Sequence, residues 1–250
     1  CSRACDATGS PGSTLIRIVP ETGSTNADLL SALRSGEPVA EGDWLVADRQ
    51  NAGRGRQGRG WHDGHGNFMG STIVRIQPGQ PPAHTLSLLT AVALFDTIHT
   101  LVPALHRLVL KWPNDLLIGD AKLSGILLEA ERDAVVIGVG VNLVSAPQLP
   151  DRKSAALTQF GPAPNRDAFA ESLAAHFATE LERWRTYGLE PLVRSWNAAS
   201  MPKGTPISVH EPDGGKASGT FDGLEPDGSM RLRLADGSTR VIHAGDVMLA

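Results

Sequence analysis

Between two runs of strand character, Asp43 to Asp48 and Asn67 to Ile76, the chain inserts Arg49 to Gly66, a stretch holding six glycines, four arginines and no helical period. Loops this long are uncommon inside compact domains, and those that occur are functional or disordered. Any fold for this chain has to be built around that loop. On its N-terminal side, Leu15 to Pro20 reads as a strand. Ser24, Thr25 and Asn26 then offer cap side chains for a helix carrying Leu29, Leu30 and Leu33 and ending at Gly36. On its C-terminal side, Ala83 to Leu101 predicts a helix with Leu88, Val92, Phe95 and Ile98 on one core face. Strands are expected at Leu108 to Trp112, Leu116 to Ile118, Lys122 to Glu131 and Ala134 to Val144. Helices follow over Asp167 to Tyr187 and on to Ala199.

The texture changes at Pro202. Short alternating runs, Ile207 to His210, Gly219 to Leu224, Ser229 to Leu234 and Thr239 to Ala244, are punctuated by Asp227-Gly228 and Asp236-Gly237. They predict a small β-barrel of about five strands, near the size at which a domain folds alone only marginally, so it should lean on the rest. The expected organisation is a disordered lead-in over 1–14, a main domain over 15–201 and this barrel over 202–250. The 41% hydrophobic content suffices for a sizeable core. No apolar run approaches the roughly 18 residues needed to span a bilayer. The lead-in lacks the apolar stretch of a secretory signal, although the first residue is Cys1 rather than Met. Cys1 and Cys5 lie only there, so no disulfide framework is offered and a reducing cytoplasm is expected.

With 23 Lys+Arg against 27 Asp+Glu, the net charge of -4 argues against a chain that coats nucleic acid or an anionic membrane. Basic chemistry must be local, and it is: Arg49, Arg54, Arg56 and Arg59 have no acidic residue among them. Gly53 to Gly58 matches G-x-G-x-x-G, but the dinucleotide fingerprint needs a helix to follow and an acidic residue about 20 positions later. Trp61-His62-Asp63-Gly64 starts no helix, and Ile73 to Pro78 has no carboxylate. An Arg-Gly nucleic-acid tether is a second reading, though such tethers are usually longer, repetitive and terminal. The third is an enclosed anion loop, in which glycines let N–H groups approach a phosphate while guanidinium forks clamp its oxygens. Pro113-Asn114-Asp115 would project an amide and a carboxylate from a tight turn. Lys122, if it points inward among Ile126, Leu127 and Leu128, needs an anionic partner, and a ligand carboxylate would serve. His62 and His65 lack the further ligands a metal centre requires, so no protein metal site is expected.

Five segments in order, Thr22 to Asn26, Gln50 to Arg56 with Arg59 and Trp61, Lys111 to Asp115, Lys122 to Gly125 and Gly138 to Asn142, resemble the biotin protein ligases. The resemblance covers Leu15 to Ala250. It implies an α+β fold: a mixed β-sheet catalytic domain flanked by helices, in the class II synthetase-like biotin/lipoate ligase arrangement, with a small C-terminal SH3-like β-barrel. The winged helix-turn-helix that some members carry has no counterpart here, which implies a monofunctional ligase.

The implied activity joins biotin to the α-phosphate of Mg2+-bound ATP, giving biotinoyl-5'-AMP and pyrophosphate, then passes biotin to a lysine of a biotin carboxyl carrier domain. By positional match, Ser24, Thr25, Asn26 and Gln50 would hydrogen-bond the ureido and ring atoms of biotin. Arg54, Gly55 and Arg56 would line the carboxylate and phosphate, and Lys122 would meet the biotin carboxylate and later the acyl phosphate. Trp61 would lie near the adenine, Asn114 and Asn142 would help place ATP and its metal, and Gly53, Arg59, Lys111 and Gly125 complete the binding set. Asp115 is expected to receive the incoming amine, of which only about one part in two thousand is neutral at pH 7. The long loop becomes a lid that shields a mixed anhydride from water. His62-Asp63-Gly64-His65-Gly66 replaces the more apolar stretch that the family suggests after the tryptophan. Lipoate ligation is the alternative within the enzyme class. A nucleic-acid-binding role is the alternative outside it, disfavoured by five Lys+Arg against seven Asp+Glu in the barrel. Expected partners are the carrier domain and the two small substrates, with no nucleic acid and no membrane; monomer and homodimer both stay open.

Overall fold

The computed structural model describes residues 14–150, 152–211 and 214–249. Residues 1–13 of the expected lead-in, with both cysteines, lie outside them. A strand β1 (Ile16–Val19) runs into helix α1 (Thr25–Ser35), which returns the chain to β2 (Trp44–Ala47), parallel to β1. Ser24 caps α1 by accepting from the Ala27 N–H, and Gly36 ends it in the left-handed conformation, φ 76°. The long loop follows, then β3 (Phe68–Arg75), helix α2 (Leu86–Leu101), and four strands in antiparallel succession: β4 (Leu108–Lys111), β5 (Asp115–Ile118), β6 (Ala121–Glu131) and β7 (Ala134–Val141). The sheet order is β1-β2-β3-β7-β6-β5-β4, so the β6-β7 hairpin inserts beside β3 and brings the loop, the β4-β5 turn and the start of β6 to one side.

Helices α2, α3 (Arg166–Tyr187) and α4 (Leu189–Ala199) cover the sheet. Phe169, Leu173, Phe177, Leu181 and Trp184 of α3 are buried, as their spacing of three and four residues requires. Helix α2 departs from the expected single core face. It is buried almost all round, including Ser87, Thr90 and Thr97, whose hydroxyls bond backbone carbonyls, whereas Phe95 is only half-buried and stacks on His99. A helix in the middle of a helical layer needs no polar face.

The C-terminal sheet is antiparallel, in the order β11-β10-β9-β8-β12, with β8 (Pro206–His210), β9 (Lys216–Leu224), β10 (Met230–Arg233), β11 (Thr239–Ile242) and β12 (Asp246–Leu249). The last strand was not among the segments expected from sequence. Phe221, Leu224, Met230 and Leu232 belong to the same apolar core as Trp196 and Leu88. The Trp112 indole N–H donates to the Gly228 carbonyl at 3.1 Å, and Asn197 Oδ1 accepts from the Leu224 N–H at 3.0 Å. Trp112, expected to end a strand, instead lies in the β4-β5 turn, where its buried ring joins the two sheets.

Candidate active site

A cavity of about 960 Å³ lies between the β4-β5 turn, the long loop, the strand floor and β12. It is lined by Ser24, Thr25, Asn26, Gln50, Arg54, Gly55, Arg56, Arg59, Trp61, Lys111, Asn114, Asp115, Lys122, Gly125 and Asn142. Of the site residues expected from sequence, Gly53 alone stands behind the lining. A Cβ there would meet the Trp61 carbonyl at 2.6 Å, so its role is close packing of the loop on itself.

One end of the cavity is uncharged and highly ordered. Ser71 Oγ donates to Asn26 Oδ1 at 2.6 Å, which leaves Thr25 Oγ1 to donate to Ser71 Oγ at 2.7 Å. Asn26 Nδ2 donates onward to Glu129 Oε2 at 2.8 Å, and the Thr25 N–H donates to Gln50 Oε1 at 2.7 Å. The Thr25 hydroxyl also reaches Gln50 Oε1 at 3.1 Å, so its proton is shared between two acceptors, while the Ser71 proton ends on Asn26 and an Asn26 amide proton on the Glu129 carboxylate. Thr25, Asn26 and Ser71 keep acceptor lone pairs, and Gln50 keeps its amide donors. That end suits a small rigid group with N–H donors beside a carbonyl. The glycines of Gly138 to Asn142 make room for it. A Cβ at Gly138 would sit 2.4 Å from Asn26 Oδ1, and one at Gly140 would sit 2.2 Å from the Trp61 ring. Trp61 thus packs against β7 at Gly140, with its indole nitrogen buried and unpartnered among the described residues. Ser71 and Glu129 carry no sequence signal: a serine and a glutamate within strands read as ordinary sheet residues.

The other end is cationic. The turn before β5 puts Asp115 between two ammonium groups, Lys122 Nζ at 2.5 Å and Lys111 Nζ at 3.3 Å. Lys122 thus has a carboxylate of the chain itself beside it, in addition to the ligand carboxylate expected to meet it. Burial pushes the Asp115 carboxyl up, but Lys122 and then Lys111 outweigh it and hold it below the usual range. That carboxylate is ionised, as receiving an incoming ammonium group requires. Burial lowers the Lys122 ammonium below its ordinary value, with Asp115 opposing and Lys111 and Arg152 adding to the fall. A second anion reaching Lys122 would relieve that strain.

The long loop is not free over this end. Arg54 and Gly60 form a bridge, and a single 3₁₀ turn at Arg56–Gly58 interrupts the expected irregular course. Arg56 donates to Asn114 Oδ1 at 3.0 Å and to the Gly245 carbonyl at 3.3 Å. Both Arg56 and Arg59 pair with Asp246 of β12. Arg54 lies 3.6 Å from Glu129, and Arg49 lies 3.0 Å from Asp63. Arginines without an acidic neighbour in sequence thus each have one in space, and the barrel strand supplies the central one. Asn114 accepts from Arg56 through Oδ1 and donates through Nδ2 to the Ile126 carbonyl at 2.7 Å. Asn142 donates to the Ala155 carbonyl at 3.1 Å, while its Oδ1 is buried with no partner among the described residues.

The sequence profile of the biotin/lipoate A/B protein ligase family matches residues 19–142, and that of the biotin protein ligase C-terminal domain matches 204–249. A biotin--[acetyl-CoA-carboxylase] ligase of Paracoccus denitrificans is 34% identical over 241 residues, spanning 92% of this chain and 98% of that protein. The chain belongs to the biotin protein ligase family. A second ligase of the same description, from Mycobacterium tuberculosis, is 36% identical over 237 residues, covering 92% of this chain and 87% of its own. The fold of this ligase is that of the family: the biotin protein ligase of Aquifex aeolicus, solved with biotin and ATP, superimposes with a TM-score of 0.83 at 22% identity over 94% of this chain and 98% of that one. Its C-terminal antiparallel sheet is the SH3-like domain of a biotin protein ligase.

Proposed function

We propose that this ligase activates biotin with ATP and transfers it to a lysine of a biotin carboxyl carrier domain of a carboxylase. The observation that carries the proposal is one cavity with two unlike ends: a directed, neutral hydrogen-bond array joined to a cluster of ammonium and guanidinium groups. A cyclic urea fills the first end, with N–H groups toward the free lone pairs of Thr25, Asn26 and Ser71 and its carbonyl toward the Gln50 amide. The valeryl chain then leads its carboxylate to Lys122.

In the first step a carboxylate oxygen attacks the α-phosphorus, the bond to the bridging oxygen breaks, and pyrophosphate leaves with that electron pair. Lys122, Lys111 and Arg56 oppose the repulsion between the two anions and meet the charge that grows on the phosphoryl oxygens. Fixed donors of this kind are each worth about 3 kcal/mol of barrier on the usual mutational scale. In the second step the lysine amine of the acceptor attacks the acyl carbon and AMP leaves. Asp115 draws and orients the incoming ammonium group and takes the proton it must shed before and during attack, passing it to solvent, while AMP keeps the electron pair of the broken acyl–oxygen bond. Trp61 and the loop keep water from the anhydride meanwhile.

The residues present fit a nucleotide-borne magnesium ion. Such an ion typically takes only one or two protein oxygens beside phosphates and water, and the orphaned Oδ1 of Asn142 is one hard oxygen available to it. When bound, it would neutralise phosphate charge. Lipoate would leave the Thr25, Ser71 and Asn26 array unpaired, at about 1–3 kcal/mol per buried group. Among the described residues no helix is long and apolar enough to cross a membrane, and a cytoplasmic site of action is part of the proposal. The test supplies apo acceptor domain, Mg2+-ATP and either biotin or lipoate, and reads acceptor mass. A biotin-sized increment on one lysine is expected; an increment with lipoate alone, or with neither, would overturn the reading.

A further inference from the structure

Asn67 is buried, lies just before β3, and does not line the cavity. Its side chain behaves as a piece of strand edge. Oδ1 accepts from the backbone N–H groups of Val144 at 2.9 Å and Ser145 at 3.1 Å, and Nδ2 donates to the Ser145 carbonyl at 2.8 Å. Its own backbone N–H donates to the Gly64 carbonyl at 2.9 Å. One residue therefore holds the end of the arginine loop and the start of the segment that leaves β7. The two also touch directly. A Cβ at Gly64 would lie 2.4 Å from Asn67 Nδ2 and 2.6 Å from Ser145 Oγ, and one at Gly66 would lie 2.9 Å from a Val144 methyl.

Beyond Ser145 that segment lines the cavity with Pro147, Leu149 and Arg152. It is tied down again where the Lys122 N–H donates to the Lys153 carbonyl and the Ala155 N–H to the Lys122 carbonyl, each at 2.9 Å. Its far end is thus fixed to β6, and its near end is fixed through Asn67. The arginine loop lines the same cavity with Arg54, Arg56 and Arg59. We propose that Asn67 is a positioning residue that joins these two walls into one unit, so that nucleotide affinity depends on a side chain that touches no ligand. On the proposed reading biotin is held by Thr25, Asn26 and Ser71, and by Gln50 at the start of the arginine loop, far along the chain from the Gly64 end that Asn67 fixes.

The inference rests on the ATP-dependent ligase reading, and its test separates the two. In Asn67→Ala the KM for ATP is expected to rise about tenfold, on the scale of hydrogen bonds lost between the walls, while biotin affinity measured without nucleotide stays within about twofold. Asn67→Asp, which keeps the acceptor and loses the donor, should fall between. Gly64→Ala, which wedges the walls apart with Asn67 intact, should reproduce the effect. Hydrogen exchange on the same variants supplies a readout independent of activity: amides of the arginine loop and of Val144 and Ser145 should lose protection together. Unchanged ATP KM in folded Asn67→Ala, parallel loss of biotin affinity, or deprotection of one wall alone would each overturn the coupling. A wild-type chain without biotin-dependent pyrophosphate release would overturn the ligase reading instead, and the exchange experiment would still decide the coupling.

Discussion

Asp246→Asn should loosen the arginine loop without disturbing the strand that carries it. Asparagine has the same shape, and the β12 backbone pairing of residue 246 with His210 does not involve the side chain. What is lost is the negative charge between Arg56 and Arg59, whose side chains are 27% and 37% exposed against 16% for Asp246. Fully exposed pairs are worth about 0–1 kcal/mol, and breaking a buried pair costs about 3–5 kcal/mol. Two half-sheltered pairs on one carboxylate, with the Arg56 bonds to Asn114 and Gly245 retained, place the loss at about 1–2 kcal/mol. The closed-to-open ratio of the loop should then fall about 5- to 30-fold. The assay loads the enzyme with biotin and Mg2+-ATP, removes free ligand, and follows release of the adenylate and labelling of a bystander protein. Release should quicken by about tenfold at low salt, and added salt should bring the parent chain toward the variant, because partly exposed pairs are screened. An equal release rate at low salt would refute the reasoning, since the latch would then contribute nothing to closure.

Other perturbations address separate parts of the molecule. Lys122→Ala should abolish biotin-dependent pyrophosphate release, because Asp115 would then face the arriving carboxylate with Lys111 alone; normal release would remove Lys122 from the site. Glu129→Gln should raise the KM for biotin by about tenfold with the KM for ATP unchanged, since the Asn26 amide loses its charged acceptor; equal changes in both constants would show that its pairing with Arg54, not its bond to Asn26, carries the effect. Asp96, in α2, has a carboxyl raised above its ordinary 3.8 by burial and then by Glu180, with His176, Arg183 and His99 opposing. Its folded form holds the proton more tightly than its unfolded form, so stability falls as pH climbs from the ordinary value through the raised one. Asp96→Asn should therefore raise Tm at about pH 7.5 and give no gain near pH 3.5, and a gain independent of pH would refute that account. Ending the chain before Pro202 would expose Trp112, Trp196 and Leu88, and should yield protein without a cooperative melt; a full-strength transition would show that the barrel leans on the core without supporting it.

What the sequence could show was whatever is local. The Ser24 cap and Gly36 stop of α1 are written within a dozen residues, and the period of α3 is carried by its own side chains. The cavity residues came from segments whose side chains cluster in sequence: Ser24 to Asn26, Gln50 to Trp61, Lys111 to Asp115 and Lys122. The missing pieces act across the fold. Asp246 meets the loop 187 residues away from Arg59, Glu129 meets Asn26 across 103, and Asn67 meets Ser145 across 78. Each is a polar residue in or beside a strand, where period-two alternation gives it an ordinary solvent-facing reading. Helix α2 misled for a related reason: burial on every side comes from α3, α4 and the sheet, which its own sequence does not name.

The charge of the cavity closes the question that the net charge opened. Eight cationic side chains line it, Arg54, Arg56, Arg59, Arg107, Lys111, Lys122, Arg152 and Lys153, against Asp115, Asp120 and Asp246, a surplus of five. The whole chain is at -4, so everything outside the cavity sums to -9. A surface that binds a long polyanion would spread its positive charge along an exposed face. Here the sign is inverted: an acidic exterior surrounds a positive recess. Low-dielectric walls focus such a field into the opening and draw in small anions. Two anions must meet there, a carboxylate and a magnesium-bound nucleoside triphosphate, and a cationic surplus of this sign opposes their repulsion and leaves neither buried without a counter-charge. The association rate of ATP should accordingly fall steeply with ionic strength, whereas that of biotin alone, with a single charge, should fall little; equal salt slopes would deny that the recess selects by charge.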